Sequence, residues 1–161
     1  MSYRLLRTLC LGLITAPMLG CALGEGHGGG HAGAHTAMPD TRQAVEFPPA
    51  MREHTLTSMR DHLRALGEIQ QALADADYDL AAHTAEHRLG MSSLDDHGAH
   101  EVAKFMPQGM QDAGTAMHRT ASRFAEVARD ASVSGDPRPA MAALAGLNKT
   151  CVACHDAYRL R

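Results

Sequence analysis

Along residues 51–158, apolar side chains recur at every third or fourth position, which is the spacing of one face of an α-helix. Four such runs cover about residues 51–75, 78–89, 108–131 and 139–158, while 91–106 allow only a short helix. No run alternates apolar and polar residues as a strand would. Because short connections make neighbouring helices antiparallel, the pattern predicts an all-α fold, an antiparallel up-down-up-down four-helix bundle. The apolar positions expected to face the core are Leu56, Met59, Leu63, Leu66, Ile69, Leu73, Leu80, Ala81, Ala85, Leu89, Met110, Ala113, Met117, Phe124, Val127, Met141, Leu144, Leu147, Cys151, Cys154 and Tyr158.

The composition fits a helical domain of ordinary size. Alanine, leucine and methionine cost little free energy in a helix, and the chain of 161 residues contains 10 Met, 3 Phe and no Trp. With so few aromatic side chains, a flat apolar cofactor would help to fill the core. The formal net charge of −3 gives no sign of a nucleic-acid partner.

The N-terminus has the pattern of an export signal. Arg4 and Arg7 precede a short apolar stretch, too short to span a membrane, and residues 18–21 read M-L-G-C, like the lipobox of bacterial lipoproteins. We therefore predict a signal peptide at 1–20 and a lipid anchor on Cys21, on the periplasmic side of a Gram-negative envelope. Ala22 after the cysteine favours the outer membrane. The alternative is cleavage after Gly24, which leaves a soluble periplasmic protein.

Residues 21–46 are predicted to form a flexible linker, because glycine and alanine dominate them and no hydrophobic period is present. His27, His31 and His35 recur at every fourth position. Two interpretations remain open for these imidazoles: loose binding of copper, zinc or nickel, or a polar spacer. The folded domain is expected at 47–161.

The C-terminus contains the strongest chemical signal. Cys151, Cys154 and His155 form C-x-x-C-H, the pattern of covalent haem attachment. Two cysteines three apart share a helix face, so both sulfurs can reach the two vinyl groups, while the histidine can bind the iron. A redox C-x-x-C or half of a zinc site are the alternatives. A zinc site would need two more ligands, and no second cysteine pair exists, so we predict one haem c.

This motif, at the end of a four-helix pattern, resembles the cytochromes c′, the class II cytochromes c. Residues 151–159 match the C-terminal pattern of that family closely. The resemblance extends over about residues 50–161 and is weak between 90 and 122, where several Met and His residues are not part of the usual pattern. In the first helix, the residues at familiar relative positions are Arg52, Leu56, Thr57, Met59 and His62.

The resemblance implies roles for individual residues. His155 would be the proximal iron ligand, and Arg159, one turn later, would be a cation beside it. Leu56 would lie over the other face, which leaves a five-coordinate iron and a small apolar pocket for nitric oxide or carbon monoxide. Arg52 would pair with a haem propionate or remain a solvated surface residue.

Other side chains compete for the open side of the iron. Met59 lies near Leu56 and would be either a sixth ligand, as in some relatives of the family, or a packing residue. His62 is expected at the surface or at an edge. A second metal site could be built from His97, His100 and His118 with Met106 or Met110.

Together these features predict a haem protein that is not an enzyme. Its function would be electron transfer in the periplasm with a redox partner protein, with binding of nitric oxide or carbon monoxide as a further role. The resemblance also implies a homodimer. The alternative is a copper- or other metal-handling envelope protein that uses the His/Met-rich segments. A peroxidase is not favoured, because no distal histidine and arginine pair can be identified.

Overall fold

The computed structural model describes residues 39–161, in which four main helices pack together beside a small two-stranded parallel sheet. The predicted mostly helical fold is confirmed. In chain order the elements are β1 (Gln43–Val45), α1 (Pro49–Ala74), α2 (Tyr78–Arg88), a 3₁₀ turn (Met91–Ser93), α3 (Ala99–Ala103), α4 (Gln108–Ser134), α5 (Arg138–Ala157) and β2 (Tyr158–Leu160). Helix α1 packs on α2, α2 on α4, and α4 on α5. Within residues 39–161, no helix is both long and apolar enough to cross a membrane.

The helix ends follow local sequence signals. Pro49 occupies the first turn of α1, where a missing N–H costs nothing. Asp77 caps α2, because its carboxylate accepts a hydrogen bond from the Leu80 backbone N–H at 3.0 Å. Helix α4 ends at Gly135, whose φ of 72° lies in the left-handed region that glycine adopts without strain.

The main core lies between the four helices and is rich in alanine. Its largest fully buried apolar side chains are Phe124, Ile69, Leu89 and Leu147. The inward positions of α1 include His62, Ala65, Ile69 and Ala72, so the neighbouring Leu63 is 71% exposed. Leu63, Leu80 and Met141 are all exposed, so the prediction that they face the core is wrong.

The parallel sheet joins the two ends of the described chain. Strand β1 pairs with β2 in a register that places Ala44 opposite Arg159. The Arg161 N–H also donates to the Val45 carbonyl at 3.0 Å. The prediction that no strand is present is wrong, as is the placement of Tyr158 on the last helix, because α5 ends at Ala157.

The structure thereby places residues 43–45, which the sequence assigned to the linker, against the segment that follows the C-x-x-C-H motif. The predicted signal peptide, the anchor at Cys21 and the linker histidines His27, His31 and His35 lie outside the described residues.

Candidate functional site

The two cysteines of the motif lie one turn apart near the C-terminal end of α5, and both are half-buried. Cys151 packs against the main core. Cys154 packs against a second cluster, formed by Val45, Phe47, Val102 and Met110. Both sulfurs thus have apolar surroundings, and neither is part of a disulfide.

Burial raises the pKa of the Cys151 thiol and of the Cys154 thiol. Reactive C-x-x-C pairs and zinc sites depend on thiolates, which a lowered pKa favours. The surroundings of Cys151 and Cys154 therefore count against a reactive redox pair. Half of a zinc site is disfavoured because residues 39–161 contain no second cysteine pair.

A cavity of about 270 Å³ opens beside the motif. Helix α1 lines it on one side, and the end of α5 together with β2 lines it on the other. The predicted site residues in its wall are Arg52, Leu56, Met59, Cys154, His155 and Arg159. Of the predicted cofactor-binding residues only Cys151 lies outside this wall, one turn before Cys154. The structure therefore brings together residues that are about 100 positions apart in the chain.

Several residues of this wall were not predicted. Met110 was predicted to face the core, and Met106 or Met110 to complete a second metal site, but neither was assigned to the haem cavity. Tyr158 and Leu160 enter the cavity because they belong to the sheet, which nothing in the sequence pattern indicated. The remaining wall residues are Arg42, Thr55 and Gly114.

Three guanidinium groups give the cavity a positive side, namely those of Arg42, Arg52 and Arg159. Asp40 forms an ion pair with Arg42 at 2.8 Å and another with Arg159 at 3.3 Å. The hydrogen bond from Arg42 lowers the pKa of Asp40 to about 2. The nitrogen of Arg159 in this ion pair is Nε, which is buried and makes no hydrogen bond within residues 39–161. Asp40 therefore already pairs with Arg42 and Arg159, whereas Arg52 forms no ion pair within the described residues.

Leu56 and Met59 both face the cavity from α1. His155 is exposed and lies in the cavity wall at the end of α5, and its backbone carbonyl lies 3.5 Å from Nη1 of Arg42. A planar group between α1 and α5 would meet the motif on one side and Leu56 or Met59 on the other.

A second cavity of about 310 Å³ adjoins the first and shares wall residues with it, including Met59 and Met106. Its wall contains His62, His97 and His118. The expectation that His62 lies at the surface or at an edge is wrong, because it is only 9% exposed.

The histidines of this cavity correspond in part to the predicted second metal site. His97, His100, His118 and Met106 line it together, whereas Met110 lines only the first cavity. The burial of His62 was not predicted, because a polar residue in an amphipathic helix is usually assigned to the side of the helix that faces solvent. Its spacing of three from Met59 was the available signal.

No protein-family model, curated protein or solved structure gives a significant match to this chain.

Proposed function

We propose that the chain is a c-type haem protein of the cytochrome c′ type that transfers electrons in the periplasm and binds nitric oxide or carbon monoxide. The observation that carries the proposal is that Cys154, His155 and Arg159 share one cavity with Arg52, Leu56 and Met59. The finer architecture, an antiparallel up-down-up-down bundle, is part of the same proposal.

The wall of the cavity suits a haem chemically. The half-buried thiols of Cys151 and Cys154 pack against apolar side chains, which suits an apolar macrocycle attached to both sulfurs. Arg52 and Arg159 lie in the wall of the cavity, where their guanidinium groups would pair with haem propionates. The apolar part of the wall is supplied by Leu56, Met59, Met106, Met110 and Leu160.

A haem c bound here would supply an iron that exchanges one electron and, when five-coordinate, binds a small neutral gas. His155 would hold the iron from the end of α5. Arg52 and Arg159 would fix the propionates, and Leu56 would exclude charged ligands from the opposite face. Met59 offers a thioether near that face, which would favour plain electron transfer over gas binding.

Covalent attachment is tested by producing the full chain in a bacterium that matures c-type cytochromes. Haem should remain on the chain after denaturing electrophoresis. The Cys151→Ala/Cys154→Ala variant should lose it, because no thioether can form. Cys21→Ala is the matched control, since it removes a cysteine outside the motif and should keep the haem. A chain without covalent haem, despite an intact motif, would reject the proposal.

Coordination is tested by optical and paramagnetic spectra of the ferric and ferrous protein, with and without carbon monoxide. A high-spin spectrum with rapid carbon monoxide binding would support an open iron beneath Leu56. A low-spin spectrum that becomes high-spin in Met59→Leu would identify Met59 as the sixth ligand and electron transfer as the function. Met117→Leu, at a buried methionine outside the first cavity, is the control.

The envelope location, the lipid anchor on Cys21 and a redox partner protein belong to the same proposal. Cys21→Ala should abolish the incorporation of labelled fatty acid into the chain, because the acceptor sulfur is lost. Equal labelling of the parent and Cys21→Ala, or no labelling of the parent, would exclude the anchor.

A further inference from the structure

Two imidazoles in the second cavity point nitrogen atoms at each other. Nε2 of His62 lies 3.4 Å from Nδ1 of His97, and the ring centroids are 4.6 Å apart. Two nitrogens that bind one metal at about 2.0–2.1 Å lie about 3.3–3.6 Å apart at bond angles between tetrahedral and trigonal. The observed separation therefore fits a shared metal ion, and it also meets the geometry of a weak hydrogen bond.

The pair is held in place from several elements. His62 belongs to α1, and His97 follows the 3₁₀ turn, where Ser93 Oγ lies 3.5 Å from its Nδ1. His118 of α4 completes the cluster, with its ring 5.6 Å from that of His97. The Leu89 carbonyl lies 2.7 Å from Nδ1 of His118. A backbone carbonyl in that position fixes the orientation of the ring.

Burial keeps these imidazoles neutral. It lowers the pKa of His62 to about 4, with further lowering from the neighbouring imidazoles of His97 and His118. Burial likewise lowers the pKa of His97 and of His118. The apolar wall around the three imidazoles thus disfavours their charged form.

The remaining donors indicate which metal suits the site. Within residues 39–161, no group of three or more His, Cys, Asp and Glu side chains is arranged to hold a metal ion. Structural zinc sites use four such ligands, so zinc is disfavoured. The wall does contain the thioethers of Met59, Met106 and Met117, and soft thioether ligands select monovalent copper.

We propose that His62 and His97 bind one Cu(I) ion, with a methionine thioether of the same cavity as the third ligand. The site does not depend on the haem proposal, because neither histidine belongs to the C-x-x-C-H motif. Met59 is the first thioether to test, since it lies three residues before His62 on α1 and lines the same cavity.

The test uses the full chain with His27, His31 and His35 changed to alanine, so that linker imidazoles do not contribute. The protein is dialysed anaerobically against Cu(I) buffered by a competing chelator, and copper and iron per chain are measured by elemental analysis. We expect one copper per chain. His62→Gln and His97→Ala should each weaken copper binding at least about tenfold, because each removes a ligand nitrogen.

Met59→Leu keeps the volume of the side chain and should also weaken copper binding if its sulfur is the third ligand. If it does not, Met106→Leu and Met117→Leu identify the thioether, and no effect from any of the three overturns the thioether assignment. His83→Ala/His87→Ala is the matched control, because these exposed histidines on α2 also form a close ring pair, with centroids 4.4 Å apart.

Three results would overturn the proposal. The first is the absence of bound copper in the parent protein. The second is copper binding in both His62→Gln and His97→Ala that is as tight as in the parent and in His83→Ala/His87→Ala. The third is retention of zinc in preference to copper under the same competition. Circular dichroism of each variant shows whether the fold persists, and His97→Ala changes only a half-buried side chain next to a short turn.

Discussion

Replacing the buried His62 with glutamine should make the stability of the protein less dependent on pH between 7 and 4. The folded structure lowers the pKa of His62 from 6.5 to about 4, chiefly by burial. The unfolded chain therefore binds a proton in this interval that the folded chain does not. The stability that depends on neutral His62 is therefore fully present above the pKa of the unfolded chain, and it is lost as the pH falls towards the pKa of the folded chain.

The expected loss follows from the two pKa values. With 6.5 in the unfolded chain and about 4 in the folded one, His62 alone lowers the free energy of unfolding by about 2 kcal/mol at pH 5 and about 3 kcal/mol at pH 4. His97 and His118 act in the same direction, because burial lowers the pKa of each. Asp61 opposes the shift of His62 through its negative charge. A loss of this size is a large part of the stability of an ordinary domain.

The assay is urea unfolding of copper-free protein at half-unit steps from pH 7 to pH 4, with His62→Gln and His83→Gln beside the parent. The parent and His83→Gln should lose stability in parallel, because His83 is exposed. His62→Gln should lose about 2 kcal/mol less between pH 7 and pH 5. Parallel curves for the parent and His62→Gln would refute the reasoning, because His62 would then be protonated in the folded state as easily as in the unfolded state.

Two further predictions concern packing. Gly90→Ala should lower the free energy of unfolding by about 1–3 kcal/mol, because the added Cβ would lie 2.6 Å from the Glu86 carbonyl oxygen. Gly67→Ala has open space around it and should raise the free energy of unfolding by about 0.5–1 kcal/mol. Equal effects of the two substitutions in thermal unfolding would contradict this prediction. Phe124→Ala should cost about 3–5 kcal/mol in urea unfolding, since that ring is fully buried, and Val133→Ala at a 90% exposed position should change little. A small effect at Phe124 would mean that the core can collapse around the missing ring.

The helices could be predicted from the sequence because their signals are local. The predicted helix boundaries lie within a few residues of those observed. They followed from the prolines at the start of α1, the break around Gly135 and the spacing of apolar residues. The sequence also predicted that the cofactor-binding residues lie together, and the structure brings all of them except Cys151 to one cavity wall.

The sheet and the place of His62 in the histidine cluster could not be predicted, for a different physical reason. Each strand is three residues long, too short to show alternation, and Ala44 pairs with Arg159 at the far end of the described chain. The burial of His62 depends on His97 and His118, which come from other elements. Local pattern carries no information about such distant pairing.

The position of Met59 links the two proposed sites. Its side chain lines both cavities, so its sulfur is within the walls that would surround the haem and the copper ion. One thioether lone pair cannot be given to both metals at once. If Met59 binds copper, the iron keeps an open face beneath Leu56, and gas binding is favoured. If Met59 binds iron, copper must rely on Met106 or Met117.

Because coupling between two sites is reciprocal, copper should strengthen carbon monoxide binding by the same factor by which carbon monoxide strengthens copper binding. Equal carbon monoxide affinity with and without copper would mean that Met59 is not shared between the two sites.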